Sequence, residues 1–269
     1  MTRAEACARR WGLTLGAPFP SEYNDVLAAV HADGTEVVLK LADVDARPEA
    51  AALALLDGRG AVALLDADPD LGALLLERVR PGIPLDTTDD EAATRVLAAL
   101  MPRLWRPVPA SSDVLPTVEG WGEAFARHRA AFGGAGPLDP ALFARGEAVF
   151  AELCASAAEL VVLHGDLHHD NVLRAEREPW LAIDPKGVVG EPAFEPGVLL
   201  HNPIPGLLAM DAPARVLARR LDVLTEMLGL ERERLRAWGF AQAVLSAVWF
   251  VEDGEEHWPF AMTCAELLA

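Results

Sequence analysis

Val161–Leu173 reads VVLHGDLHHDNVL, with three histidines and two aspartates inside seven residues, between one apolar run and the start of another. Imidazole and carboxylate are zinc ligands. In an extended turn, however, neighbouring side chains point to opposite sides, so His168 and His169 should diverge, and no fourth ligand stands at a helical i, i+4 position. The flanks suggest a different division. His164-x-Asp166 is followed by four residues and Asn171, and a second short apolar run, Trp180–Ile183, ends in Asp184. Two short strands, each ending in a polar loop that carries an aspartate, fit this spacing better than a metal cage does.

Upstream, DVLAAVHADGTEVVLKLA reads as a hairpin turned at His31-Ala32-Asp33-Gly34, with Lys40 near the end of its second strand. RPEAAALALLDG changes to a helical pattern opened by Pro48 and closed by Gly58, with Glu49 in its first turn. AVALLDADPDLGALLLERVRPG returns to two short strands. After Pro81-Gly82 the periodicity is helical over Asp89–Leu104, Thr117–Ala131, Pro140–Ala157, Pro213–Leu228 and Glu231–Phe250. Asp139-Pro140, just beyond the GGAGP linker, has the form of an N-cap with proline at the first helical position. Trp238, Trp249 and Trp258 fall in these helical segments and are expected to pack in the core or at its rim.

At 269 residues, 52% hydrophobic and 24% charged, the chain can bury a sizeable core, and no apolar run approaches the length of a membrane span. MTRAEACARRWG carries charges where a signal peptide needs an apolar segment, so a cytoplasmic protein is expected. Three cysteines, far apart and without C-x-x-C spacing, are read as reduced packing residues. With 23 Lys+Arg against 41 Asp+Glu, the net charge of -18 opposes nucleic acid and anionic membranes and favours a cationic small-molecule partner.

The order Lys40, Glu49, His164-x-Asp166-x4-Asn171, strand, Asp184 resembles the protein-kinase-like phosphotransferases. HGDLHHDN, AIDPKGVVGEPAFE and the GRGAV to GALLLER stretch are more narrowly similar to the aminoglycoside phosphotransferase superfamily, in its streptomycin 6-kinase and hydroxyurea kinase branch. The resemblance runs from about Val26 to Phe260. It implies an α+β fold, with a small N-terminal sheet lobe bearing one helix (residues 1–80) and a larger, mainly helical lobe (81–269), acting as a monomer. It also implies transfer of the γ-phosphate of ATP or GTP, with Mg²⁺, to a hydroxyl of an aminoglycoside-like antibiotic such as streptomycin, with hydroxyurea or another small metabolite as the alternative acceptor. By resemblance, Asp166 is the base, Asn171 and Asp184 hold the metal, Lys40 with its partner Glu49 holds the nucleotide phosphates, and backbone near Glu77 and Val79 meets adenine.

This chain departs from the kinase pattern in three places. FPSEYNDV stands where protein kinases have a glycine-rich loop, which leaves Ser21 and nearby amides to cover the phosphates. The metal loop is Asp184-Pro185-Lys186-Gly187 instead of D-F-G, and no A-P-E motif follows, so a small acceptor is expected instead of a protein. For a cationic acceptor the carboxylate candidates are Glu191 and Glu195, just past the metal loop, and Glu255 and Glu256 in VEDGEEHW. GDLHH also resembles the metallophosphoesterases, but the D-x-H and G-N-H partner motifs of that family are missing. A non-catalytic nucleotide-binding protein of the same fold would not need the base and both metal ligands, which are all present.

Overall fold

A computed structural model of the chain describes residues 1–21, 24–42 and 44–269. The elements run α1 (Arg3–Trp11), β1 (Leu13–Pro18), β2 (Asn24–His31), β3 (Glu36–Ala42), α2 (Arg47–Leu56), β4 (Leu64–Asp68), β5 (Ala73–Glu77), β6 (Pro81–Pro84), α3 (Asp90–Leu104) and β7 (Arg106–Pro107). They continue with α4 (Val118–Trp121), α5 (Glu123–Phe132), α6 (Pro140–Ala155), β8 (Val161–Leu163), β9 (Val172–Ala175), β10 (Trp180–Ala182) and β11 (Val188–Gly190). The chain ends in α7 (Gly206–Ala209), α8 (Pro213–Leu228), α9 (Arg232–Glu252) and α10 (Trp258–Leu268).

The first five strands form one antiparallel sheet in the order β1-β2-β3-β5-β4. Strand period two divides it. Val37, Leu39, Leu41, Ala73 and Leu75 are buried towards the α1 and β1 side, with Cys7, Trp11 and Leu15. Leu74 and Leu76 face the main core on the other side, with Leu53 and Leu56 of α2. Lys40 pairs across the sheet with Leu74 and Val26, so the alternation places it on the α2 face. The expected order of strand, strand, helix, strand, strand is therefore present, preceded by α1 and β1, which the sequence reading missed. A signal for α1 existed: Thr2 and Glu5 form a reciprocal capping box.

Helices dominate the remainder. Asp139 caps α6 by accepting from the N–H groups of Ala141 and Leu142, both at 2.9 Å. The segment expected as one helix over Thr117–Ala131 is two, α4 and α5, meeting at Gly122, where a Cβ would stand 2.7 Å from the Phe150 ring. Between β11 and α7 lies a nine-residue 3-10 segment, Pro192–Leu200, all of it buried from Ala193 onward. Helix α9 carries this segment: Gln242 Nε2 donates to the Phe194 carbonyl at 2.6 Å. Among the described residues no helix is long and apolar enough to cross a membrane.

The position of α9 depends on a close crossing with α6, where a Cβ on Gly146 would meet three Val244 carbons at 2.7–2.8 Å. Gly146→Ala is expected to cost about 1–3 kcal/mol, since a packed core does not absorb an added methyl group. Val244→Ala should make room for it. Urea unfolding of the two single variants and the double variant checks this: the double variant should be more stable than the sum of the singles by about 0.5 kcal/mol or more.

Candidate active site

Two backbone excursions bring the polar residues together. Gly165, at φ +85, turns the chain after β8, and a Cβ there would lie 2.7 Å from Val188 and 3.1 Å from Trp121. Asp184, at φ 58, is one of few non-glycine residues in the left-handed region, where aspartate is among the better tolerated. Gly187 packs the end of the same loop against α2: its Cβ would stand 2.6 Å from the Pro48 carbonyl oxygen and 2.8 Å from Ala52. The loop of the helical part and the helix of the sheet part are thus in direct contact.

Lys40 lies at the centre of the resulting cluster. Its ammonium donates to both oxygens of Glu49, at 2.8 and 2.7 Å, and to Asp184 Oδ1. Lys186 Nζ lies 2.8 Å from Asp184 Oδ2 and 3.6 Å from Asp166 Oδ2. Burial would raise the pKa of Asp184, but the two ammonium groups outweigh it and hold the carboxyl at about 2. Asp166 shifts the other way. Its partial withdrawal from water pushes its pKa above the ordinary value, against the opposing charges of His168 and Lys186. A carboxylate raised in this way is a better proton acceptor near neutral pH.

Asn171 Nδ2 donates to the Asp166 carbonyl at 2.9 Å and lies 3.4 Å from Asp166 Oδ2, so the amide oxygen is the end left for a ligand. The Ile183 N–H donates to the Asn171 carbonyl at 2.9 Å, setting Asn171 and Asp184 at the open end of the β9–β10 hairpin. One amide and one carboxylate oxygen are hard donors suited to Mg²⁺, which takes few protein ligands and completes its shell with water and phosphate. Among the described residues no group of three or more His, Cys, Asp or Glu could hold a metal ion. A cleft of about 210 Å³ is lined by Asn24, Lys40, Glu49, Trp121, Asp184 and Lys186, among others.

Two of the loop's own histidines, His164 and His168, brace it. The His164 ring accepts the Asp166 N–H at Nδ1 (3.2 Å) and meets the Ile183 carbonyl at Nε2 (2.8 Å). A carbonyl only accepts, so Nε2 carries the proton and the ring is neutral; burial holds its pKa at about 3. His168 and His169 diverge as expected: His168 lies 3.2 Å from Asn171 Nδ2, whereas His169 is buried away from it.

Two expectations are corrected. Glu195 does not face an acceptor. It is fully buried, and its two oxygens accept the N–H groups of His164 (2.7 Å) and Gly165 (2.9 Å) from beneath the loop. Glu191 is likewise withdrawn, with both oxygens 2.9 Å from Arg234 Nε and one also bonded to Trp238 Nε1, so it joins α9 to the end of β11. Trp238 is a core residue.

Glu255 and Glu256 lie in the turn between α9 and α10, with Glu255 3.5 Å from His257 and Glu256 exposed. One turn earlier on α9, Trp249 packs edge-on against Trp121, with ring centroids 5.6 Å apart, and Trp121 lines the cleft. Trp121 was missed in the sequence, where nothing in EGWGEAF separates a cleft wall from a core aromatic.

In the linker after β5, Val79 is buried, and the Glu77 carboxylate is taken up by Arg177 and the Ala63 N–H, which leaves only its backbone to meet a base. Ser21 is exposed and its hydroxyl accepts the Asn24 N–H at 3.3 Å. Glu22 and Tyr23, from the stretch expected to cover the phosphates, lie outside the described residues.

Glu195→Gln replaces one acceptor oxygen with an amide group facing a backbone N–H. A shift of the loop of even about 1 Å should lower kcat roughly 10- to 100-fold, with the nucleotide KM little changed. Burial raises the folded-state pKa of Glu195 from 4.5 to about 7. Its contribution to stability is therefore full below pH 4.5 and is lost as pH rises through 7. Unfolding free energies at pH 5 and pH 8 should differ by roughly 2–3 kcal/mol more in the wild type than in Glu195→Gln.

The profile of the aminoglycoside/hydroxyurea antibiotic resistance kinase family matches residues 10–254. A streptomycin 6-kinase of Streptomyces glaucescens is 40% identical over 96% of this chain and 86% of its own length. A hydroxyurea phosphotransferase of Kitasatospora aureofaciens is 41% identical over 93% of this chain and 73% of its own length. Among solved structures, an aminoglycoside phosphotransferase in ternary complex with ADP and hygromycin B superposes with a TM-score of 0.67, at 13% identity, over 98% of this chain and 96% of that one, a likeness of fold. The chain belongs to the aminoglycoside/hydroxyurea antibiotic resistance kinases.

Proposed function

We propose that the protein is an antibiotic-inactivating phosphotransferase that moves the γ-phosphate of ATP, or GTP, to a hydroxyl of an aminoglycoside of the streptomycin type. The observation that carries this reading is the cluster in which Asp184 meets both Lys40 and Lys186, Lys186 reaches Asp166 at 3.6 Å, and Asn171 is hydrogen-bonded to Asp166. Family membership and the ADP complex of the structural neighbour support the nucleotide as donor.

Phosphoryl transfer asks for alignment and charge stabilisation more than for covalent help. Lys40, held by Glu49, presents its ammonium to the nucleotide phosphates, and Lys186 adds a second positive charge on the acceptor side of Asp184. Asp184 and the Asn171 amide oxygen would hold Mg²⁺, which would supply charge neutralisation at the nucleotide phosphates. Asp166 orients the acceptor hydroxyl and takes its proton as the oxygen attacks. Its backbone is fixed at N–H by His164 and at the carbonyl by Asn171, so its carboxylate needs little rearrangement.

For the acceptor, the carboxylates that follow α9, half-buried Glu255 and exposed Glu256, suit guanidinium and ammonium groups. Hydroxyurea, the acceptor named for one relative, is neutral and would make no use of them.

Asp166→Asn is expected to keep ATP binding by calorimetry while lowering kcat by about two to four powers of ten, the range for a positioned base. Turnover close to wild type would remove Asp166 from the mechanism. With streptomycin as acceptor, KM should rise clearly as salt goes from dilute buffer to about 0.5 M, while the ATP KM changes less, because exposed charge attraction is screened over that range. A flat acceptor KM, with Glu255→Gln and Glu256→Gln also silent, would favour a neutral acceptor such as hydroxyurea.

A further inference from the structure

We infer that Arg177, in the turn of the β9–β10 hairpin, is a positioning residue for the nucleotide base: it fixes the linker at Glu77 to the hairpin that carries Asn171 and Asp184 at its other end. The inference rests on the proposed nucleotide site. Arg177 forks onto the Glu77 carboxylate, with Nε 2.7 Å from Oε1 and Nη2 2.8 Å from Oε2. Its Nη1 and Nη2 also reach the loop between α2 and β4, donating to the carbonyls of Gly58 (2.6 Å) and Ala61 (2.7 Å), and Nη1 lies 3.2 Å from Glu178 Oε1. Glu77 Oε2 in turn accepts the Ala63 N–H at 3.0 Å, and the Glu77 N–H donates back to the Ala63 carbonyl at 3.0 Å. One side chain from the helical part thus ties together the last residue of β5 and the loop beside it.

The backbone around this fork is shared as well. The Val62 N–H donates to the Ala182 carbonyl at 2.8 Å and the Ala182 N–H to the Gly60 carbonyl at 2.9 Å, so the α2–β4 loop lies along β10. Strand β6, directly after the linker, pairs with β9, with Pro81 opposite Ala175. Glu178, next in the turn, receives Arg103 of α3 at 2.6 Å and anchors the turn to the helical part. From the sheet side the linker is held by Arg78 stacked on Phe19, 4.2 Å from the ring centroid, and by Arg80 forked onto Glu36.

The hairpin therefore works as a spacer. Its open end carries the proposed metal ligands, and its turn, one strand of four residues or about 13 Å away, carries the arginine that holds the base-binding linker. A fork of two parallel charge-assisted hydrogen bonds fixes both distance and orientation, which a lysine, as a point charge, does not do. Without it, the Glu77 and Val79 backbone would lose its fixed distance from Asp184. Binding of the base would weaken while the chemistry at Asp166, set by the loop's own contacts, would persist.

The test compares wild type, Arg177→Ala and Arg177→Lys. ATP Kd is measured by calorimetry with Mg²⁺, steady-state constants for both substrates, and hydrogen exchange is followed at the amides of residues 77–80. Arg177→Ala should raise ATP Kd and KM about tenfold, the size of one lost charge-assisted contact, with kcat and the acceptor KM within about threefold. Exchange at the linker should speed up more than exchange in α9. Arg177→Lys, which keeps the charge and serves if the alanine variant does not fold, should recover less than half of the loss in binding free energy. An unchanged ATP Kd in a folded variant, or full recovery with lysine, overturns the inference while leaving the nucleotide site intact. A wild-type protein that binds no ATP overturns the nucleotide reading itself, and the inference with it.

Discussion

Lys40 is the constraint on which the rest of the arrangement depends. It is almost fully withdrawn from water on the inner face of the small sheet, and an ammonium in that position requires carboxylate partners. Glu49 supplies one from α2 and Asp184 the other from the opposite part of the molecule. Removing either would leave a buried charge short of a partner, at a cost of several kcal/mol. The same requirement holds α2 against the 184–187 loop, where Gly187 leaves no room for a side chain. The ion network thus sets how the sheet part and the helical part meet, and it places positive charge where a polyphosphate would lie.

Beneath the loop, order is kept by groups that do not reach the cleft. Two backbone N–H groups of the loop end on Glu195, a third ends on the neutral His164 ring, and that ring is pinned to the Ile183 carbonyl. Buried donors without partners would cost more than the loop's geometry could tolerate, so these contacts leave few alternative conformations for Asp166. Glu195 is held in turn by a 3-10 segment that packs on α9, and α9 by its close crossing with α6. The longest helix of the chain therefore supports the reactive loop through one intermediate layer. Its last turn, with Trp249 against Trp121, also reaches the cleft wall.

Acidic composition has two separate origins in this protein. Glu49, Glu191, Glu195 and Asp90 are buried and used internally, against Lys40, Arg234, backbone N–H groups and Arg220. The remainder is largely at the surface, where it shapes the long-range field more than the fold. Only the second class can draw in a cationic antibiotic.

By itself the sequence determined the class of fold and the order of chemical parts. Period two in VVLK, the Asp33-Gly34 turn, the Asp139-Pro140 cap and the spacing from His164 to Asp184 are local signals, because strand alternation, turns and caps are decided within a few residues. They placed Asp166 and Asp184 in two polar loops, each after a short strand. Tertiary structure alone decided what each glutamate does. Glu191 and Glu195 read as candidate acceptor carboxylates just past the Asp184 loop, yet Glu195, in the Pro192–Leu200 segment, ends beneath the loop and Glu191, at its start, ends on an arginine of α9. Nothing local distinguishes them from Glu255 or Glu256, since burial depends on which distant segment packs over a residue. Arg177 and Trp121 were illegible for the same reason: an arginine in a hairpin turn gains its meaning only when the linker, one hundred residues away in sequence, comes to lie beside it.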